Sequence, residues 1–568
     1  MLVPMFASSQ HRRDCARKQQ ELRTKRQLLP TVYSQPLTDD DQKILGLSLS
    51  QVVDECNATA IAPSAVLQTY TKRSLLAQDA TNCLADFMIS EVEKRSVPLQ
   101  RPLTGVVVSL KDCIDVEGYD TTCACSGNVG HPRASSAPIV RLLRDAGAQM
   151  HVKTTLPTGF FSLETLSDLF GETSNPYNPA FSPGASTGGG GALLAYQGTL
   201  IEIGSDIAGS LRYPAAYCGV YGMKGSVGRF PSYACESPLP GLEGVPTIVG
   251  PMARTLDDLA EFWKRVVDMR PWLYDHTCSP LPWRPVDFVL SGRKPKWGIV
   301  WSDGVIPPSP AALRALNESV DALRRAGHEV VDFHSPNIVE GLKIGYKLLF
   351  SDGGETLLAP MRKGETLNGG LLNATRLLQL PLFVKKALAL LLRSLSRPTG
   401  RNDAWAALLE TFHEMTPADE RRTIVEREAY RAAWHTEWQA QGIDFVLTIP
   451  HSLPPIPRGE TGTVSLVSSG YTFIFNILDY AAGVLPVTYV DELMDCLPED
   501  FVQSKEFANF NDIARGAYSV YDSSAMHGLP MAVQVVGQRL EEEKVLAGMK
   551  IVEQALWEAG KGFAPKKF

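Results

Sequence analysis

The chain has 568 residues, 44% hydrophobic and 21% charged, an ordinary globular composition long enough to bury a substantial core. Its formal net charge of −7 leaves no broad basic field and argues against a nucleic-acid partner. The ten cysteines (15, 56, 83, 113, 123, 125, 218, 235, 278, 496) are scattered, with Cys123-x-Cys125 the only close pair, and the ten histidines are dispersed. Free thiols in a reducing compartment are therefore expected, with no metal and no organic cofactor.

The N-terminal stretch has no apolar core after its charges, so no secretory signal is read. The Arg/Lys run from His11 to Arg26 is expected to form a solvated leading helix. The sequons at Asn57, Asn317 and Asn373 then carry little weight, and a cytoplasmic location is expected. Residues 38 to 95 show helical spacing behind a capping start at Thr38-Asp39-Asp40-Asp41. From about residue 103 short β runs alternate with helical stretches. Candidate strands lie at 104–112, 148–155, 199–206, 296–301, 328–334, 444–450 and 531–538, and candidate helices at 136–148 and 309–328. This alternation predicts an α/β fold, a single large domain whose mixed twisted β-sheet core is covered by helices on both faces. An N-terminal helical region, 1–95, would pack on the α/β domain, 96–568, and the Pro- and Trp-rich stretch 270–287 would be a long connection. In residues 377–398, Lys385, Lys386 and Arg393 interrupt what would otherwise read as a membrane span. The apolar stripe from Phe383 to Leu395 predicts instead an amphipathic helix serving as core, lid or subunit contact, with docking on a membrane surface as the alternative.

Two serines compete for the chemistry. Gly184-Ala185-Ser186-Thr187-Gly188 is a literal G-x-S-x-G, the pattern of the hydrolase nucleophile elbow, for which His527 would be a late-chain base. An elbow needs a strand running into its serine, whereas residues 171–184 carry Asn-Pro and Pro-Gly breakers and read as a loop. The other candidate, Ser210, ends "GSDIAGS" (204–210). The glycines do not indicate a nucleotide either. In "GVYGMKGS" (219–226) Gly225 separates Lys224 from Ser226, so the P-loop pattern fails.

Amides are poor electrophiles with poor leaving groups, so a serine attacking one needs a base to take its proton and an acid for the departing nitrogen. A lysine kept neutral by burial can serve as both. Lys111 ends the apolar run "TGVVVSLKD" (104–112), where its side chain would point into the interior.

With Lys111, Ser186 and Ser210 in this order, the sequence resembles the amidase signature family, most closely its fungal acetamidases. The resemblance runs through "GVVVSLKD", "PGASTGGGGALLA", "GSDIAGSLRYPAAYCGVYGMKGS", "TIVGPMARTLDDL", "ILDYAAGVLPVTYVD" and "HGLPMAVQVVGQRL", from about residue 40 onward, with the motif half at about 100–260. It implies hydrolysis of a small-molecule amide through an acyl-enzyme. Ser210 would be the nucleophile, Ser186 a proton bridge behind a cis peptide, and Lys111 the base and later the acid. The backbone amides of Ile207, Ala208, Gly209 and Ser210 would form the oxyanion hole. Phe160 and Phe161 would wall the acyl site, and Asp206, Arg212 and Ser205 would hold the nucleophile segment in place. Alanines at 185 and 208, Thr187 and Ser205 depart from the family's usual residues without removing a catalytic side chain. The competing readings are an esterase using Ser186 and His527, an ammonia-releasing transamidase subunit, and a non-catalytic binding relative. A homodimer is left open.

Overall fold

Aliphatic runs that lack a polar face become the middle of a sheet. The strands Val107–Lys111 and Ile201–Asp206 are buried at every position, as strands covered on both sides must be. The protein is described by a computed structural model over residues 7–286, 288, 292–397 and 399–568. Eleven strands form one mixed sheet in the order 84–87, 149–154, 107–111, 201–206, 248–253, 221–224, 482–489, 530–536, 445–448, 296–299, 329–332. The strand carrying Lys111 runs parallel to both its neighbours, Gln149–Thr154 and Ile201–Asp206. The other half has its own parallel triplet, and antiparallel strands join the two.

All seven expected strands are present, as are the helices Pro138–Asp145 and Pro310–Arg325. Four strands of this sheet were not expected. Ile248–Ala253 contains Pro251 and Ala482–Tyr489 contains Pro486, residues that read as breakers; the sheet accommodates Pro486 at a register shift. Tyr221–Lys224 is short and flanked by glycine, and Leu84–Phe87 follows directly on the helix Pro63–Thr81.

One expectation is corrected and another is refined. The leading helix, Ala7–Gln27, is not solvated along its length. Lys18 is buried and donates to Asp86 Oδ2 at 2.7 Å, and His11 Nε2 lies 3.0 Å from Asp168. Its partners Asp86 and Asp168 are themselves charged, so a polar sequence conceals an interface. The stretch 377–398 is broken at Pro381, and the helix after it, Leu382–Leu395, turns its apolar side outward. Phe383 is 74% exposed and Leu395 71%, while Lys385 is buried.

The glycine run has a packing explanation. Gly188–Ala195 is a helix lying on the strands around Lys111 and Glu202. A Cβ on Gly189 would meet Thr155, one on Gly190 would overlap the buried Glu202 carboxyl, and one on Gly204 would lie 2.6 Å from Thr187 Cγ2. The helix can approach the sheet this closely only without side chains. Glu202 accepts from the hydroxyls of Thr154, at 2.6 Å, and Ser109, and burial raises its pKa to about 7. Gly190→Ala is expected to destabilise the fold by about 1–3 kcal/mol through overpacking. In chemical denaturation, Glu202→Ala on that background should cost less than its effect in the wild type; strict additivity would contradict the contact.

Candidate active site

Lys111 ends its strand with the side chain directed under the glycine-rich loop, and it is fully buried. Its Nζ donates to Ser186 Oγ at 2.6 Å and to Ser205 Oγ at 2.9 Å. Lys153, buried on the neighbouring strand, pairs with Asp112 at 2.7 Å. No comparable ion pair holds Lys111 among the described residues. The Phe160 ring covers the amine at 5.0 Å, on a backbone with φ +63°. Burial therefore pushes the Lys111 pKa below the ordinary lysine value of 10.5, opposed only in part by Cys113, Asp206 and Glu202.

Ser186 is fully buried on a loop that continues into the helix Gly188–Ala195, and the Ala185–Ser186 peptide is cis. No strand leads into it, so the elbow geometry is absent. His527 is exposed and accepts from the Glu492 N–H at 3.2 Å, away from this loop. The esterase pairing of Ser186 with His527 is therefore not formed. Ser186 and Ser210 belong to segments that the structure ties together, since Thr187 N–H donates to the Ser210 carbonyl at 3.1 Å.

The segment after the strand Ile201–Asp206 is organised by one carboxylate. Asp206 accepts from the N–H groups of Gly209 at 2.9 Å and Leu211 at 3.2 Å. Arg212, itself fully buried, closes on Asp206 at 3.0 and 2.9 Å through Nε and Nη2. The guanidinium is completed by Thr472 O, Gln534 Oε1 and Asn476 Oδ1 at 2.9, 2.8 and 2.6 Å. Burial opposes ionisation of Asp206, but the Arg212 charge, with hydrogen bonds from Arg212 and Asn476, overcomes it and holds the pKa near 2. The Gly209 N–H is thus committed to Asp206, while those of Ala208 and Ser210 have no acceptor among the described residues.

Ser210 is half-buried and opens on a cavity that Phe160, Phe161, Ile207 and Ala208 also line. The expected catalytic, oxyanion and acyl-wall residues therefore converge, with Ser205 at the lysine and Asp206 and Arg212 beneath the loop. The far wall of the cavity was not anticipated. It is an aromatic group in which Phe412 packs on Tyr346 at 5.6 Å and on Phe350 at 5.2 Å. Thr472, Asn476 and Gln534 were also missed. Their signal was a polar residue inside an apolar run, as in "TFIFNI" (472–477) and "MAVQVV" (531–536).

The amidase family profile matches residues 65–546. Fatty-acid amide hydrolase 1 of Sus scrofa is 33% identical over 539 residues, 91% of this chain and 87% of that protein. An acetamidase of Aspergillus oryzae is 29% identical over 542 residues, 92% and 91% of the two chains. A solved fatty acid amide hydrolase structure superposes with a TM-score of 0.83 at 24% identity, covering 97% of each chain. The chain belongs to the amidase family of the amidase signature enzymes, hydrolases that act on amides. Asp206→Asn leaves Arg212 buried without its counter-charge and is expected to cost about 3–5 kcal/mol in urea or thermal unfolding. A loss below about 1 kcal/mol, the worth of a surface pair, would contradict the role given to Asp206.

Proposed function

We propose that the protein is a serine amidohydrolase that cleaves amides of apolar acyl groups to carboxylate plus ammonia or amine, through an acyl-enzyme on Ser210. The observation that carries this reading is a buried lysine amine bonded to two hydroxyls and to no carboxylate. Neutral Lys111 accepts the Ser186 proton as Ser186 accepts that of Ser210, and Ser210 Oγ attacks the substrate carbonyl. The negative oxygen that develops is met by the backbone amides of Ile207, Ala208 and Ser210. Gly209 contributes its freedom of φ rather than its N–H, which Asp206 holds. The proton now on Lys111 returns through Ser186 to the departing nitrogen, which breaks the C–N bond and leaves the acyl group on Ser210. Water, deprotonated by the same relay, then releases the carboxylate.

The aromatic lining of the cavity supports an apolar acyl group. The relatives include both acetamidases and fatty-acid amide hydrolases, so acyl length is the open variable. The helix Leu382–Leu395 supports the longer class. It carries Phe383, Leu390, Leu391 and Leu395 outward, and its buried Lys385 donates to the backbone carbonyl of Phe412 in the cavity wall. We read this helix as docking on a lipid surface from which apolar amides are drawn, with a second copy of the chain as the rival occupant. No described helix is long and apolar enough to cross a membrane.

A fluorophosphonate should attach to the peptide containing Ser210; attachment to Ser186 would overturn the assignment. Across amides graded from acetamide to long acyl chains, kcat/KM should rise with length, and more steeply when the amides are presented in lipid vesicles. A maximum at acetamide that vesicles do not alter would assign the short-chain class and remove the docking role.

A further inference from the structure

Gly209 lies at φ +130°, a region that side chains rarely enter. A Cβ there would also lie 2.6 Å from Thr472 Oγ1 and 2.7 Å from the Tyr213 ring. Those two side chains therefore press on the loop at the peptide joining Ala208 to Gly209, which is held at both ends. Its N–H donates to Asp206 Oδ1 at 2.9 Å, and its carbonyl oxygen lies 2.6 Å from Thr472 Oγ1.

Thr472 is fully buried in the helix Gly470–Ile477, far along the chain from the nucleophile. Its hydroxyl has one proton and two carbonyls within reach, Ala208 O at 2.6 Å and Ser469 O at 3.1 Å. The shorter contact takes the proton, and the longer is the weak back-bond common for threonine in helices. The Tyr213 hydroxyl lies 2.6 Å from Thr472 Oγ1. Either hydroxyl could donate, but the Ala208 carbonyl can only accept, so with the threonine proton on that carbonyl the tyrosine donates into the threonine oxygen. The result is a relay of donors, Tyr213 to Thr472 to the Ala208 carbonyl, in which each bond polarises the next. A peptide anchored through both its N–H and its C=O cannot swing, and this one separates the amides of Ala208 and Ser210, which have no acceptor among the described residues.

We infer that Thr472, steadied by Tyr213, is a positioning residue for amide hydrolysis. It fixes the Ala208–Gly209 peptide so that the N–H groups of Ala208 and Ser210 aim at the oxyanion. The inference rests on the reading of Ser210 as nucleophile, and the two are separated by first labelling the wild type with a fluorophosphonate. Absence of label on Ser210 overturns both. With Ser210 labelled, Thr472→Val, which keeps the shape and removes the hydroxyl, should lower kcat by about 10–100-fold while KM stays within about twofold. The rate of fluorophosphonate inactivation should fall in parallel, because that adduct also places an oxygen against the same amides. Thr472→Ser, which restores the hydroxyl, should recover kcat to within about threefold of wild type. A valine variant with near-wild-type kcat, a loss confined to KM, or a serine variant as impaired as the valine one would overturn the inference alone. Should the valine variant not fold, Tyr213→Phe decides the matter, since it removes the donor to Thr472 and keeps the ring. A lower kcat at unchanged KM supports the relay, and an unchanged kcat overturns it.

Discussion

The site depends on one amine kept in the interior without a counter-charge. Burying an ammonium is costly unless it is paired, and one solution is visible at Lys153, which has Asp112. At Lys111 the partners are the hydroxyls of Ser186 and Ser205 and the face of Phe160. Such surroundings favour the neutral amine, the one state able to accept a proton from serine. The glycine helix follows from the same need. To bring Ser186 onto an amine at sheet level, the helix start must lie against the strands, and Gly189 and Gly190 remove the side chains that would prevent it.

The second organising element is the Asp206 carboxylate, which faces away from the chemistry and shapes it through the backbone. It turns the chain after its strand by accepting from Gly209 and Leu211, and Arg212 binds that turn to the far half of the sheet through Asn476 and Gln534. The loop carrying Ser210 is therefore fixed by residues from the C-terminal third of the chain. Lys111, Ser186 and Ser210 all lie between residues 107 and 217, yet the loop carrying Ser210 is tied down by side chains beyond residue 470.

This division explains what the sequence made legible. Lys111 could be read because it closes an apolar strand, and Ser186 and Ser210 because glycines and small residues mark places where backbone must approach closely. The strands containing Pro251 and Pro486 were missed because proline disfavours a strand locally, whereas the sheet takes in Pro251 without a break in register and Pro486 at a register shift. Thr472, Asn476 and Gln534 leave only the trace of a polar atom in an apolar run, and their partners are hundreds of residues away. The periodicity of 377–398 indicated a helix but could not say which side faces the core. Local spacing carries no sign, and here Lys385 turns inward to a backbone carbonyl while leucines face out.

The central claim is that Lys111 acts as a neutral base, and the pH dependence of Ser210 inactivation by a fluorophosphonate tests it most directly. The active form is the deprotonated amine, so the rate must rise with pH through the Lys111 pKa. Burial lowers that pKa, so the rise should fall below the ordinary lysine value of 10.5. In Lys111→Ala the rate should be slower by about 10²–10⁴-fold and should no longer show that rise. A rise that persists unchanged in Lys111→Ala, or a wild-type rise at or above the ordinary lysine value, would contradict the account.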